Sequence, residues 1–269
     1  MRIAIYQCRP HPDDVTGNLS RLHRAAADAA RDGAHLLICP EMFLSGYNIG
    51  LDAVRRLAEP RDGPSASAVA SIAREQRIAI AYGYPERAAD NAIYDAAQVI
   101  GSAGSTLGHY RKTHLFGDLD RSMFSPSTAE APLIEFNRWH LGLLICYDVE
   151  FPENARRLAL SGADLIIVPT ANMIPYEFIA NTIVPARAFE NQLYVGYANY
   201  CGSEGQIEYC GLSCIASPDG ADATRAGHDE QLIAADLDHD RMTNSRRINT
   251  YLADRVPALY RSLTSEPAV

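Results

Sequence analysis

Two short apolar runs, each stopped by a proline, constrain the fold of this chain more than any other feature. Ala34–Cys39 (AHLLIC) runs into Pro40, and Asp164–Val168 (DLIIV) runs into Pro169. A run without a polar face has to be covered on both sides, as a strand inside a helix-covered sheet is. Proline has no N–H to give to a ladder and marks where such a strand stops. The two runs also share a context. Arg2–Cys8 reads as a strand, Asn18–Gly33 as a helix ending at a glycine, and Ala34–Cys39 as the next strand. In the second half His140–Cys146 reads as a strand, Pro152–Ser161 as a helix, and Asp164–Val168 as a strand. The halves repeat in outline, though few residues match.

The remaining segments fit between these. A helix is expected at Ala66–Gln76 and a strand at Arg77–Tyr84. Ala92–Ile100 and Thr106–Lys112 form a hairpin pattern about the turn Gly101–Ser105. Pro185–Gln192 reads as a helix, Leu193–Asn199 as a strand, and Gln206–Ser217 as one more strand. Alternating strands and helices with hairpins between them predict mixed sheets covered by helices. From about Asp236 the chain turns charged (DLDHDR, SRR, DR), which suggests an arm rather than a second domain.

Composition narrows the function. The 269 residues fit one large α/β domain, and 24 basic against 33 acidic side chains give a net charge of −9. Nucleic acids and anionic membranes need a basic footprint, so neither is expected as a partner. No apolar run approaches the roughly 20 residues of a membrane span. The N-terminal apolar stretch turns polar after about eight residues, too short for a signal-peptide core, so a cytoplasmic location is expected. The six cysteines contain no C-x-x-C pair and no nearby histidine set for a metal.

Three segments could carry chemistry. Glu41 follows a buried strand in Pro40-Glu41-Met42-Phe43, at the carboxyl end where α/β proteins place ligands. Lys112 lies in Tyr110-Arg111-Lys112-Thr113-His114-Leu115-Phe116, where burial would lower its pKa. Cys146 ends LGLLIC and is followed within a few residues by a helix, a strand–turn–helix arrangement that can present a nucleophile on a sharp turn. A helix N-terminus nearby favours the thiolate, and backbone N–H groups after the cysteine could serve an oxyanion. Each residue alone is more often structural: a solvated glutamate, a surface lysine, a packed thiol.

Together the three segments resemble the carbon–nitrogen hydrolase, or nitrilase-like, superfamily. The matching text is PEMFLSGYNIG, YRKTHLFGDLDRSMFSP and LLICYDVEFPENARRLA, with VPTANM, ARAFENQLYVGYAN and GLSCIASPDG in fixed order over about residues 1–240. Within it the chain is most similar to bacterial aliphatic amidases of the 5-aminopentanamidase type, through SGYNIG, YGYPER, EFPENARRLAL and YANYCG. The resemblance implies a four-layer αββα sandwich over 1–240 and a C-terminal arm, 241–269, at the interface of a homodimer or larger assembly. It implies Glu41 as proton carrier, Lys112 as oxyanion partner and Cys146 as nucleophile, without metal or cofactor. The substrate would be a small linear primary amide.

Many superfamily members have a second glutamate where this chain has Asp120, which keeps the charge one methylene shorter and is assigned an auxiliary role. Tyr47, Tyr147, Glu150 and Asn172 are the candidate substrate-binding residues. Glu150 is the first choice as partner of a cationic substrate, and Asp118, Asp120, Asp148 and Glu177 supply further acidic groups. Three alternatives stay open. The same residues could act on an N-carbamoyl amine or a nitrile. A papain-like arrangement would need His114 or His140 beside Cys146. A binding module without activity would expect a broken triad.

Overall fold

A computed structural model describes residues 1–264. The first half supplies strands β1 (Arg2–Gln7), β2 (Leu36–Ile38), β3 (Ala79–Arg87), β4 (Ile93–Ile100) and β5 (Thr106–Arg111). The second half supplies β6 (Leu133–Phe136), β7 (Trp139–Leu143), β8 (Leu165–Pro169), β9 (Tyr194–Ala198), β10 (Cys201–Glu204), β11 (Ile207–Cys210), β12 (Cys214–Ala216), β13 (Asp222–Arg225) and β14 (Gln231–Asp236). Helices are α1 (Val15–Arg31), α2 (Leu51–Leu57), α3 (Pro64–Gln76), α4 (Gly117–Met123), α5 (Pro152–Leu160), α6 (Val184–Asn191) and α7 (His239–Ile248).

Two six-stranded mixed sheets form the centre, ordered β14-β1-β2-β3-β4-β5 and β13-β12-β9-β8-β7-β6. The proline-stopped runs become β2 and β8, each an interior strand with parallel neighbours on both sides. Side chains alternate across the first sheet, as the two-residue period of a strand requires. Ile3, Ile5, Leu36, Ile38, Ala79 and Ala81 meet the second sheet's Leu141, Leu143, Leu165 and Ile167. Ala4, Leu37, Ile80 and Tyr82 face outward, under Leu22, Ala25, Ala26 and Ala29 of α1 and Val69, Ile72 and Ala73 of α3. Helices α5 and α6 join the core of the second sheet through Ala155, Leu158, Val184 and Ala188. The result is a mixed α/β architecture of two sheets flanked by helices, as the sequence leads one to expect.

Two strand readings are corrected. Gln206–Ser217 is not one strand: β11 pairs with β10 in a separate two-stranded ribbon, while β12 pairs with β9 in the second sheet. The break falls at Gly211 and Leu212, both at positive φ (65° and 59°), where the chain leaves one sheet for the other. A Cβ on Gly211 would lie 2.7 Å from the carbonyl oxygen of Gly227, so only glycine fits. The strand before Cys146 ends early, at Leu143. The charged C-terminal stretch begins as a docked helix. Ser245 of α7 donates to Gln192 and to the Pro218 carbonyl, Arg246 donates to the Gln192 carbonyl, and Met242 is buried. The boundary at 240 therefore falls inside α7, and the arm's last five residues lie outside the described residues.

Candidate active site

Glu41 lies just beyond β2, Lys112 just beyond β5, and Cys146 three residues beyond β7. Short loops bring all three to one closed place. Leu144 N–H still follows the sheet by donating to Ile167 O, and the chain then turns sharply. Cys146 takes φ of 44° and opens a 3-10 turn over Cys146–Glu150, so its side chain stands at a bend as the strand–turn–helix pattern anticipates. Positive φ is uncommon for a residue with a Cβ and is held only where the surroundings enforce it. Asp148 does much of that enforcing. Its buried carboxylate accepts from Ile145 N–H (3.3 Å), Tyr110 O–H (3.1 Å), Thr113 O–H (2.8 Å), His114 N–H (3.0 Å) and His114 Nδ1 (2.7 Å). The cysteine loop and the lysine-bearing segment are thereby tied through one side chain.

Lys112 is fully buried among three carboxylates. Its Nζ lies 2.5 Å from Glu41 Oε1, 2.7 Å from Asp120 Oδ2 and 3.5 Å from Asp95 Oδ2. The backbone N–H of Lys112 donates to Asp95 O at 2.9 Å, which fixes where the side chain starts. The lowered lysine pKa expected from burial is corrected here. Burial does pull it down, but Glu41, Asp120, Tyr47 and Asp95 together outweigh burial and hold the ammonium well above the ordinary range. Glu41, Asp95 and Asp120 are spaced closely enough to suit a divalent ion. The Lys112 ammonium stands within 3.5 Å of all three and supplies the positive charge that such an ion would bring.

The Cys146 thiol is also corrected. Burial and then the Glu41 carboxylate push its pKa well up, more than Lys112, the Thr170 hydroxyl and the Ala171 N–H pull it down. The resting group is a thiol beside a carboxylate, so a proton has to leave before it can attack. Glu41 is the carboxylate whose charge acts most strongly on that thiol.

The structure sorts the other candidates by what already occupies them. Asp120 accepts from Lys112, from Tyr47 O–H (2.7 Å) and from Phe116 N–H (2.8 Å). Tyr47 is therefore spent on Asp120, its ring 5.8 Å below the Lys112 ammonium. Asn172 braces the strip that follows β8, with Nδ2 donating to Tyr176 O and its N–H to Asn199 Oδ1. Tyr147 packs edge-on to Phe116 and Phe151, and Phe116 in turn to Tyr176, which makes an aromatic wall. Glu150 is half-buried, and its carboxyl has no hydrogen bond among the described residues. Burial lifts its pKa to about 7, against the pull of Lys112 and Arg187. Of the other acids, Asp118 is exposed, Glu177 is half-buried, and Asp120 and Asp148 are committed to protein donors. His114 is bonded to Asp148 and stacked on Phe151, and His140 is bonded to Asp164, which leaves the papain-like pairing without its histidine.

Two residues escape a reading from sequence. Asp95 sits in a largely apolar strand pattern that also carries Gln98, and the acid there points to no chemistry by itself. Gly83 on β3 lies under the Glu41 loop, where a Cβ would stand 2.3 Å from Met42 N and 2.9 Å from Glu41 Cα.

Comparison with known proteins shows the family. The family described as Carbon-nitrogen hydrolase matches residues 2–247. A Pseudomonas protegens protein named "Hydrolase in pqqF 5'region" is 61% identical, over 98% of this chain and 92% of its own. An (R)-stereoselective amidase from a Pseudomonas species is 35% identical, over 99% and 96%. The solved NitN amidase of Nesterenkonia sp. AN1 superposes with a TM-score of 0.85 at 32% identity, covering 98% of this chain and 99% of that one. A mutant of that amidase was solved with acrylamide added at its active-site cysteine.

Proposed function

Since the chain belongs to the carbon–nitrogen hydrolase family, we propose that its amidase/nitrilase-type activity is the hydrolysis of a short linear primary amide through a thioester on Cys146. The observation that carries this reading is the closed cluster itself: a thiol whose pKa burial and then its neighbour Glu41 push up, and Glu41 held at 2.5 Å by the Lys112 ammonium. Glu41 takes the Cys146 proton as sulfur adds to the amide carbonyl. Lys112 and the backbone N–H of Tyr147 bear the developing oxyanion, an interaction worth about 10²–10³ in rate. Glu41 then gives its proton to the amide nitrogen, and ammonia leaves. Water deprotonated by Glu41 attacks the thioester, and collapse releases the carboxylate and restores the thiol. Asp120 positions Lys112 through its 2.7 Å bond.

The substrate's far end is cationic in this reading, as in 5-aminopentanamide or an ω-guanidino amide. Support comes from Glu150, an acid electrostatically coupled to Lys112 and not committed to a protein donor. An ammonia-release assay over 5-aminopentanamide, pentanamide, glutaramate, an N-carbamoyl amine and pentanenitrile tests both levels. A charge-assisted bond of about 1.5–3 kcal/mol gives the cationic amide roughly tenfold or more in kcat/KM over pentanamide. That advantage grows with pH as Glu150 ionises through about 7. Equal rates on pentanamide remove the cationic end. Ammonia from the nitrile or the carbamoyl compound alone moves the activity within the family.

The same reading includes a homodimer in the cytoplasm, with the C-terminal arm at the interface. Its support is exposed apolar side chains on α5, at the end of α7 and in the last described segment: Leu160 is 50% exposed, Ile248 71% and Leu259 72%. Exposed clusters of this kind in a folded chain call for a cover. Sedimentation at low micromolar concentration is expected to give about twice the chain mass, closed two-fold assembly being the commonest case.

A further inference from the structure

The Lys112 cluster holds one more acid than its donors can serve. Asp120 is fully used, by Lys112, Tyr47 and Phe116. Glu41 uses Oε1 on Lys112, and its buried Oε2 has no donor. Asp95 is 1% exposed, and neither of its carboxyl oxygens has a hydrogen-bond donor; the Lys112 ammonium reaches Oδ2 only at 3.5 Å. Ligand-forming oxygens of all three acids lie within 4.8 Å of one another. Three ionised carboxylates against one ammonium would leave two negative charges in a site closed to water, together with three orphaned oxygens. One proton removes most of this misfit. It neutralises one acid, and the new O–H supplies the missing donor.

From this geometry we propose that Asp95 is held as the neutral acid and donates its O–H to Glu41 Oε2, which makes it a positioning residue for the proton carrier. Glu41 is then gripped at both oxygens, by Lys112 at Oε1 and by Asp95 at Oε2, and cannot swing as protons move on and off it. Asp95 is the member left neutral because nothing else donates to it, whereas Asp120 has three donors. The groups facing Asp95 are Glu41 from the loop after β2, Lys112 from the end of β5 and Asp120 from α4. Burial, the largest effect, and the neighbouring Glu41 both push the Asp95 carboxyl well above the ordinary range, more than Lys112 lowers it. An acid–acid pair sharing a proton is the expected arrangement when two carboxyls meet in a closed site.

This inference rests on Glu41 being the proton carrier, and its test separates the two. Infrared difference spectra of resting wild type minus Asp95→Asn should show the carbonyl stretch of a protonated carboxyl, lost in the variant, near neutral pH and without substrate. In turnover Asp95→Asn keeps an N–H donor for Glu41, so it should retain at least about tenfold more kcat/KM than Asp95→Ala. Without the donor an ionised Glu41 is less well supported, so the acidic limb of kcat/KM should move to higher pH in Asp95→Ala and stay in place in Asp95→Asn. A merely structural aspartate would move neither the limb nor the infrared band. Absence of the protonated-carboxyl band overturns the proposal. So does an acidic limb that moves to lower pH in Asp95→Asn, the mark of a like charge removed. If Asp95→Ala does not fold, those two readings on Asp95→Asn decide alone. A protein that releases no ammonia but shows the band would refute the hydrolytic reading and leave the carboxyl pair standing.

Discussion

The backbone N–H of Glu41 donates to the carbonyl of Thr170 at 3.3 Å, and so joins the two residues that follow the proline-stopped strands. Pro40 and Pro169 each end an interior strand, one in each sheet. The chain leaves both sheets at the same place, and Glu41 is pinned across the gap. The repeat seen in LLICPEMF and LIIVPTAN thus has a physical outcome. Two similar strand ends, facing one another, supply the floor of the site. Thr170, the residue that receives Glu41, donates its hydroxyl to the Tyr197 oxygen at 3.2 Å and is among the groups that draw the Cys146 pKa down.

Replacing Cys146 with alanine should abolish turnover and leave the fold intact, since the thiol is half-buried at a bend and the alanine leaves only a small void. Intact-mass spectra of the wild type during turnover should show an acyl adduct that the variant never forms. Appreciable ammonia release by Cys146→Ala would end the covalent mechanism.

Lys112→Ala should be more damaging than loss of one oxyanion partner. It leaves Glu41, Asp95 and Asp120 buried around an absent cation. Breaking such a buried arrangement typically costs about 3–5 kcal/mol, beside a fall of about 10²–10³ in kcat. Chemical denaturation and single-turnover rates would separate the two losses. Lys112→Ala with wild-type stability would mean that the carboxylates do not depend on it.

The cluster also shows what a sequence can and cannot disclose. Glu41, Lys112 and Cys146 are legible because each belongs to a long local motif at a strand end. Asp95 is not, because its significance comes from Glu41 and Asp120, which are far away in the chain and adjacent only after folding. The early end of β7 is hidden for a different reason. Leu144-Ile145-Cys146 continues the apolar pattern, and the φ of 44° falls on a cysteine, so no glycine marks the turn. Burial alone misjudges Lys112, where neighbouring charges outweigh it, and the helix N-terminus alone misjudges Cys146, where burial and Glu41 both favour the thiol.

Gly83→Ala is expected to disturb catalysis from the far side of Glu41. The added Cβ would sit 2.3 Å from Met42 N, a backbone atom that cannot rotate away. Displacing a reacting group by about 1 Å can lower the rate about 10²-fold. The kcat of Gly83→Ala should fall along with its melting temperature, and a crystal structure should show Glu41 moved from Lys112. Unchanged kcat would mean that the loop adapts without losing its geometry.

Acid stability should depend on Glu86, on β3 of the first sheet. Its buried carboxylate accepts from His109 at 2.5 Å and from Arg111 at 2.6 Å. Burial raises its pKa, but the interactions with His109 and Arg111 outweigh burial and lower it from 4.5 to about 2. A depressed carboxyl stabilises the fold above its unfolded value and loses that contribution as pH falls through its folded value. The stability gap between wild type and Glu86→Gln should therefore be full near neutrality and close as pH drops from 4.5 toward 2. Denaturant titrations across that range check it, and a gap independent of pH would place the effect in packing.

The five hydrogen bonds gathered by Asp148 divide the protein into what can change and what cannot. Cysteine loop and lysine segment are locked to one buried carboxylate, so a substitution in either is felt by both. The strip Met173–Phe178 that follows β8 carries no such obligation on its outer side, where Ile174, Tyr176 and Phe178 project into solvent. Substitutions of these exposed side chains leave the hydrogen bonds of Asp148 untouched. Tolerance to change is thus unevenly spread: the inner network answers as one unit, and the exposed strip answers residue by residue.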